Sequence, residues 1–207
     1  IIEFEYVARA NAFSSVNSSS GKKQIQMTDT TPPPSEKPAG NGHPQAQMDV
    51  QTATARSRAL AANLGAVVAI MMRSPEHRNA SLSEIESLVG PPLGLDQIAI
   101  VEARDSKTGV VAPVAAVLWA LVSDEVDANL SNVDDPKPRM EPRDWRSGPI
   151  PWIISAIGHK AAVTQLLEQF VTSRFPDSPP KIRIRDNDGT AKIGVVRTGK
   201  PDADATI

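Results

Sequence analysis

A mixed α/β (α+β) fold, with a mostly antiparallel central sheet flanked by helices, is predicted by three observations. Apolar residues recur at helical spacing in two stretches, 57–73 and 159–173. Two pairs of strand-like runs are each joined by turn chemistry, Asp105-Ser106-Lys107-Thr108-Gly109 in the first and Asn187-Asp188-Gly189 in the second. Between them, residues 150–157 (IPWIISAI) are almost wholly apolar, which suits a strand buried on both faces.

Taken in order, residues 14–56 are rich in Ser, Thr, Pro, Gln and Gly, with Pro32-Pro33-Pro34 inside. Such a stretch buries too little apolar surface to offset its ordering entropy, so 1–56 is expected to be a disordered extension. The chain opens on Ile, and Met27 and Met48 are alternative starts. Leu60, Leu64, Val67, Val68 and Met71 define an amphipathic helix over 57–73 that Pro75 stops. Ser81 and Glu84 form a capping-box pattern ahead of Leu82, Ile85, Leu88 and Val89, and Gly90-Pro91-Pro92 is expected to end that second helix. Residues 97–104 and 110–121 follow as strands, with Pro113 requiring an edge position or a bulge. Residues 123–143 are polar and read as a surface excursion. After the strand 150–157, Gly158 turns the chain into the helix 159–173, and 181–186 with 190–197 closes as a hairpin. The domain therefore spans 57–200, followed by a tail at 201–207.

Composition narrows the function. The 207-residue chain carries 22 basic and 24 acidic residues, a net charge of -2, which gives no global attraction to nucleic acid or an anionic membrane. It has no cysteine, which removes disulfides, thiolate metal sites and thiol nucleophiles together. Its three histidines lack ligand spacing, so no metal is expected. Glu3 and Glu5 interrupt the only apolar N-terminal stretch, and no run is long enough to span a bilayer. A cytoplasmic protein is expected.

His43 falls in the polar extension and His159 opens a helix, which leaves His77 in a turn between two packed elements. An imidazole there can take and return a proton near neutral pH. The element order also matches that of the N-acetyltransferase fold, in which the turn after the central strand receives the phosphate of a pantetheine-bearing acyl donor. Here that turn is Gly158-His159-Lys160, without a full Gly-rich signature.

Several motifs, in this order, resemble those of the toxin-activating lysine acyltransferases of the RTX class. They are Ser74-Pro75-x-His77-Arg78-Asn79, then Pro113-Val114-Ala115 running to Trp119-Ala120, then Asp144-Trp145-x-Ser147-Gly148 leading into Trp152-Ile153-Ile154. Phe175-Pro176, the Ile182-Arg183 strand and Gly199-Lys200 complete the series, so the resemblance covers about 57–200. It implies transfer of a fatty acyl group from the phosphopantetheine thioester of acyl carrier protein to internal lysines of an RTX protoxin. No bound cofactor is implied beyond that acyl donor, and a homodimer is possible. His77 matches the family's catalytic histidine, a general base for the incoming amine. An apolar groove for the acyl chain has Leu64, Val67, Met71, Val117 and Trp152 as candidate walls. Arg183 and Arg185 alternate onto one strand face, and with Gly158, His159 and Lys160 they are candidates for the acyl-carrier side.

One departure is chemical. Where the family places an aspartate beside its histidine, this chain has Ser155. A hydroxyl can orient an imidazole but does not stabilise its cation as a carboxylate does. Glu76 or Asp144 could substitute, or the protein could be an impaired relative that binds the carrier or the toxin without turnover. An acetyltransferase using coenzyme A is a third reading, from element order alone.

Overall fold

The structure, a computed structural model, describes residues 4–9, 44–186 and 189–197, with 4–9 and 44–48 described by backbone only. Two compact units are distinguished, residues 12–58 and residues 1–11 with 59–207. The second holds a six-stranded sheet in sequence order: β1 (Phe4–Arg9), β2 (Ile98–Asp105), β3 (Val111–Val122), β4 (Ile150–Gly158), β5 (Lys181–Arg185) and β6 (Ala191–Val195). Neighbours are antiparallel except β4 and β5, which are parallel because a helix returns the chain between them. That helix is α4 (Lys160–Arg174); α1 (Pro44–Met71), α2 (Leu82–Gly94) and α3 (Asp124–Ser131) precede it in the chain. The mixed architecture expected from the sequence is the one found.

Each face of the sheet has its own core. On one, Val67 and Met71 of α1 and Val89 of α2 pack with Ile98, Leu118, Trp152 and Ile157. On the other, Leu166 and Phe170 of α4 pack with Val101, Val117, Trp119 and Ile153. The motif Asp144-Trp145-x-Ser147-Gly148 belongs to the first core. Trp145 is buried and its carbonyl accepts from the buried Gln97 amide at 3.0 Å. Ser147 Oγ accepts from the Ser123 N–H at 2.9 Å. Gly148 lies so close to the end of β3 that a Cβ would stand 2.5 Å from the Val122 carbonyl oxygen. This motif is structural.

Three expectations are corrected and that for Pro113 is met. Inside the stretch read as disordered, Phe4–Arg9 is a strand paired with β2, and α1 begins at Pro44 rather than near residue 57. The rest of that stretch, 1–3 and 10–43, lies outside the described residues, as does the tail from 198. Helix α2 does not stop at Gly90-Pro91-Pro92 but continues to Gly94. The prolines lose their donors and keep their acceptors: the Leu95 N–H bonds the Pro91 carbonyl at 3.1 Å and the Gln97 N–H bonds that of Pro92 at 2.7 Å. The polar excursion contains α3, started by the Ser123 side chain, which accepts from the Val126 N–H. Pro113 meets both settings expected for it: the register with β2 shifts between Val101 and Glu102, and the pairing of β3 with β4 stops at Ala115, so Pro113 has no partner on that side.

Helix α3 and the loop after it are fastened to β4 and β5. Asp127 accepts from Trp152 Nε1 at 2.8 Å and from Lys181 Nζ at 2.7 and 2.8 Å. Burial opposes ionisation of Asp127, but the hydrogen bonds from Lys181 and Trp152 and the lysine charge outweigh it and hold the carboxyl below its ordinary value. A lowered native pKa contributes stability above the unfolded value, about 3.9 for Asp, and loses it as pH falls through the native value. Asp127→Asn is therefore expected to lower stability at neutral pH and to flatten its decline below about pH 4, as read by denaturant titration at a series of pH values.

Candidate active site

Beyond Met71 the chain does not leave the helix end freely. The Ser74 N–H bonds the carbonyls of Ile70 and Met71, and the Ser74 carbonyl in turn accepts from the N–H groups of His77 and Arg78 at 3.1 and 2.9 Å. The Ala80 N–H closes onto the His77 carbonyl at 2.9 Å. This set of short-range bonds makes a tight turn that holds His77 half-buried, with Glu76 and Arg78 exposed on either side. His77 Nδ1 lies 3.2 Å from Ser74 Oγ. When Nδ1 carries the ring proton, the hydroxyl oxygen accepts it and Nε2 is left as the basic nitrogen.

The second component is the turn from β4 into α4. Gly158 has φ +123°, and a Cβ there would lie 2.2 Å from the Val114 carbonyl oxygen, so only glycine fits. The His159 N–H then bonds that same carbonyl at 2.9 Å. Arg73 spans from the first component, donating to the Ala69 carbonyl at 2.9 Å and to the Pro113 carbonyl at 3.0 Å.

Between these parts lies a cleft of about 360 Å³. Arg73, Ser74 and Pro75 line it from the turn that carries His77, and Gly158 and His159 line it from the strand-to-helix turn. Its remaining walls are Pro113, Val114, Ile70 and Ala103. The fold thus brings Gly158 and His159 to the same cleft as Ser74, the hydrogen-bond partner of His77. Lys160 is exposed and is not among the lining residues.

A family model of RTX toxin acyltransferases matches residues 57–198. The chain belongs to the RTX toxin acyltransferase family. Membership carries acyltransferase activity with an RTX toxin as the partner acted upon. No curated protein sequence matches the chain. The span matched by the acyltransferase family includes the cleft, the His77 turn and β2 to β6, whereas β1 lies outside it. Among the described residues no helix is long and apolar enough to cross a membrane.

Within this acyltransferase, Ser155 pairs with Leu118 across the β3–β4 ladder and so faces the α1–α2 side of the sheet, the side whose core holds Leu118. It is half-buried, and its hydroxyl has no hydrogen-bond partner among the described residues. The imidazole is bonded instead by Ser74, three residues earlier in its own turn. Asp144 is committed elsewhere: its carboxylate accepts the Glu141 N–H at 2.7 Å and lies 3.9 Å from Arg143.

Two expectations about substrate contacts are corrected. Val67, Met71, Val117 and Trp152 are packed core, and Val117 is on the opposite face of the sheet from the other three, so they cannot wall one groove. Leu64 is exposed and belongs to neither core. Arg183 and Arg185 do not offer a free cationic strip. Arg183 donates to the carbonyls of Leu130, Asn132, Val133 and Asp135, and Arg185 to that of Pro136. Both guanidinium groups fasten the loop after α3. Sequence reasoning missed Ser74 as the partner of His77, although its position three residues before the histidine was the available signal. It also missed Arg73, for which no motif spoke.

Proposed function

We propose that this family member moves a fatty acyl group from the phosphopantetheine thioester of acyl carrier protein to lysine side chains of an RTX protoxin, with His77 as general base. The observation that supports this most directly is the apolar cleft lined by Ser74, whose hydroxyl bonds the His77 imidazole. A lysine ammonium is not nucleophilic until it loses a proton. That first proton goes to solvent, and His77 Nε2 takes the second as the free amine nitrogen attacks the thioester carbonyl. Collapse of the adduct breaks the carbon–sulfur bond, forms the amide and returns the proton to the departing thiolate. Ser74 Oγ, accepting from Nδ1, holds the tautomer this requires. Without a carboxylate behind the ring the imidazolium is less stabilised, and turnover is correspondingly slow. In this proposal Gly158 and His159, which line the same cleft, receive the phosphopantetheine end of the donor.

The test is to incubate the purified protein with acyl carrier protein loaded with a fatty chain and an RTX protoxin, then map lysine amides by mass spectrometry. Absence of acylated lysine, or equal use of an acyl-coenzyme A in place of the carrier, contradicts the proposal. Ser155 supports a second reading, a binder of the carrier or toxin without turnover, because the hydroxyl in the expected aspartate position bears no charge. Ser155→Asp separates the two. An impaired enzyme is expected to gain about tenfold or more from a carboxylate restored at that strand position, whereas a pure binder gains nothing.

A further inference from the structure

Helix α1 ends in a way that its backbone does not complete alone. The Arg73 N–H passes over the Ala69 carbonyl and bonds that of Ile70 at 3.0 Å. The Arg73 side chain takes up the carbonyl left behind, Nε donating to it at 2.9 Å. The same guanidinium reaches forty residues on to the bulged strand β3, where Nη2 donates to the Pro113 carbonyl at 3.0 Å. The next carbonyl along that strand, of Val114, accepts the His159 N–H at 2.9 Å. Two consecutive carbonyls of β3 therefore hold the two sides of the cleft, Arg73 with Ser74 on one and Gly158 with His159 on the other. We infer that Arg73 is a positioning residue for His77: it fixes the turn carrying the imidazole against the bulge and so sets its spacing from the turn after β4. This inference rests on the acyltransferase reading of the same site, in which His77 is the base.

Three features carry it. Arg73 adjoins Ser74, whose Oγ lies 3.2 Å from His77 Nδ1, so the tie is one residue away from the group that orients the ring. Both of its acceptors are backbone oxygens, one on helix α1 and one on the sheet. The tie thus relates two main-chain elements to each other and does not depend on where another side chain settles. Finally, the planar guanidinium presents its N–H groups in a rigid fork, whereas an ammonium on a flexible stem concentrates its donors at one point. A misplacement of about 1 Å is worth as much as about 10²-fold in rate, so a residue that sets this spacing has a kinetic effect.

The experiment compares the wild type with Arg73→Met, which keeps an unbranched stem and removes the donors, and Arg73→Lys, which keeps the charge and loses the fork. Amide hydrogen exchange is read at His77, Arg78 and Ala80, the N–H groups that close the turn, with Gln97, bonded to the Pro92 carbonyl, as the control. Acyl transfer from loaded carrier protein to a protoxin is followed across pH in parallel. In Arg73→Met, exchange at the turn is expected to quicken by about tenfold with Gln97 unchanged, the sign of local opening. Transfer is expected to fall about 10- to 100-fold and to lose the acid limb of its pH profile, because a base out of position no longer governs the rate. Arg73→Lys is expected to fall between. No quickening, or a rise shared equally with Gln97, overturns the inference. So does a fall in rate that leaves the acid limb in place, since a smaller folded fraction scales the profile without reshaping it. Wild-type behaviour of Arg73→Lys overturns it too, by assigning the effect to charge alone. If exchange quickens only at the turn while the wild type transfers from no carrier, the tie stands and the acyl-carrier mechanism fails.

Discussion

His77→Ala is expected to lower acyl transfer by about 10² to 10⁴ while leaving the fold intact, since that is the contribution a positioned base makes to proton removal. The residue is half-buried in a turn held by backbone bonds, so its truncation leaves those bonds in place. His77→Asn is the sharper variant. Its amide can still donate toward Ser74 Oγ, as Nδ1–H does in the proposed tautomer, but it has no nitrogen able to accept a proton where Nε2 stands. If both variants lose activity to the same extent while Ser74→Ala loses only about tenfold, base chemistry and ring orientation are separated. Wild-type rates in His77→Asn would end the role assigned to the imidazole.

The second large effect is on stability. Gly158→Ala is expected to cost more than about 4 kcal/mol. Its Cβ would lie 2.2 Å from the Val114 carbonyl oxygen and 2.8 Å from Ala115 Cα, both backbone atoms of the neighbouring strand. Its φ of +123° adds strain of its own. Relief requires β3 and β4 to part at the Ala115–Gly158 pair, which also removes the bond from the His159 N–H and opens the wall of the cleft. Gly189→Ala is the control. It also has a positive φ, of 86°, but no atom within 4 Å of its Cβ, so only the left-handed backbone is penalised, by about 1 to 2 kcal/mol. Thermal unfolding of the pair checks the difference: similar losses would show that the close approach at Gly158 is relaxed at little cost.

What the sequence disclosed follows from the range of the signals it carries. The central strands, the capping box at Ser81 and both hairpins were readable, because alternation, caps and turns are written in adjacent residues. Helix α3 was hidden by its composition. Its inner side rests on Val126 and Leu130, one turn apart, and everything else in it reads as surface. The ties from Arg183 to the last turn of α3 and the loop after it join residues about fifty apart, so no local pattern announces them. The cleft was misplaced for a related reason. Strong hydrophobic periodicity selects what packs, and Val67 and Met71 pack completely. A cavity forms where packing is interrupted, and here the interruptions are the bulge beside Pro113 and the reversed backbone at Gly158. The His77 motif was legible as chemistry. Its hydroxyl partner belongs to the same turn, whereas the family resemblance points to the distant strand position where an aspartate is missing.

The pairing of Phe4–Arg9 with β2 has a consequence for chains that lack those residues. Six successive residues cover the outer margin of β2, from Asp105 back to Ile100, and they lie outside the span shared with the family. A polypeptide initiated at Met27 or Met48 would be made without them, baring a row of amide and carbonyl groups that invites other chains to dock sheet to sheet. Shortened versions prepared for the laboratory should then clump or exchange strands, whatever the state of their catalytic pocket.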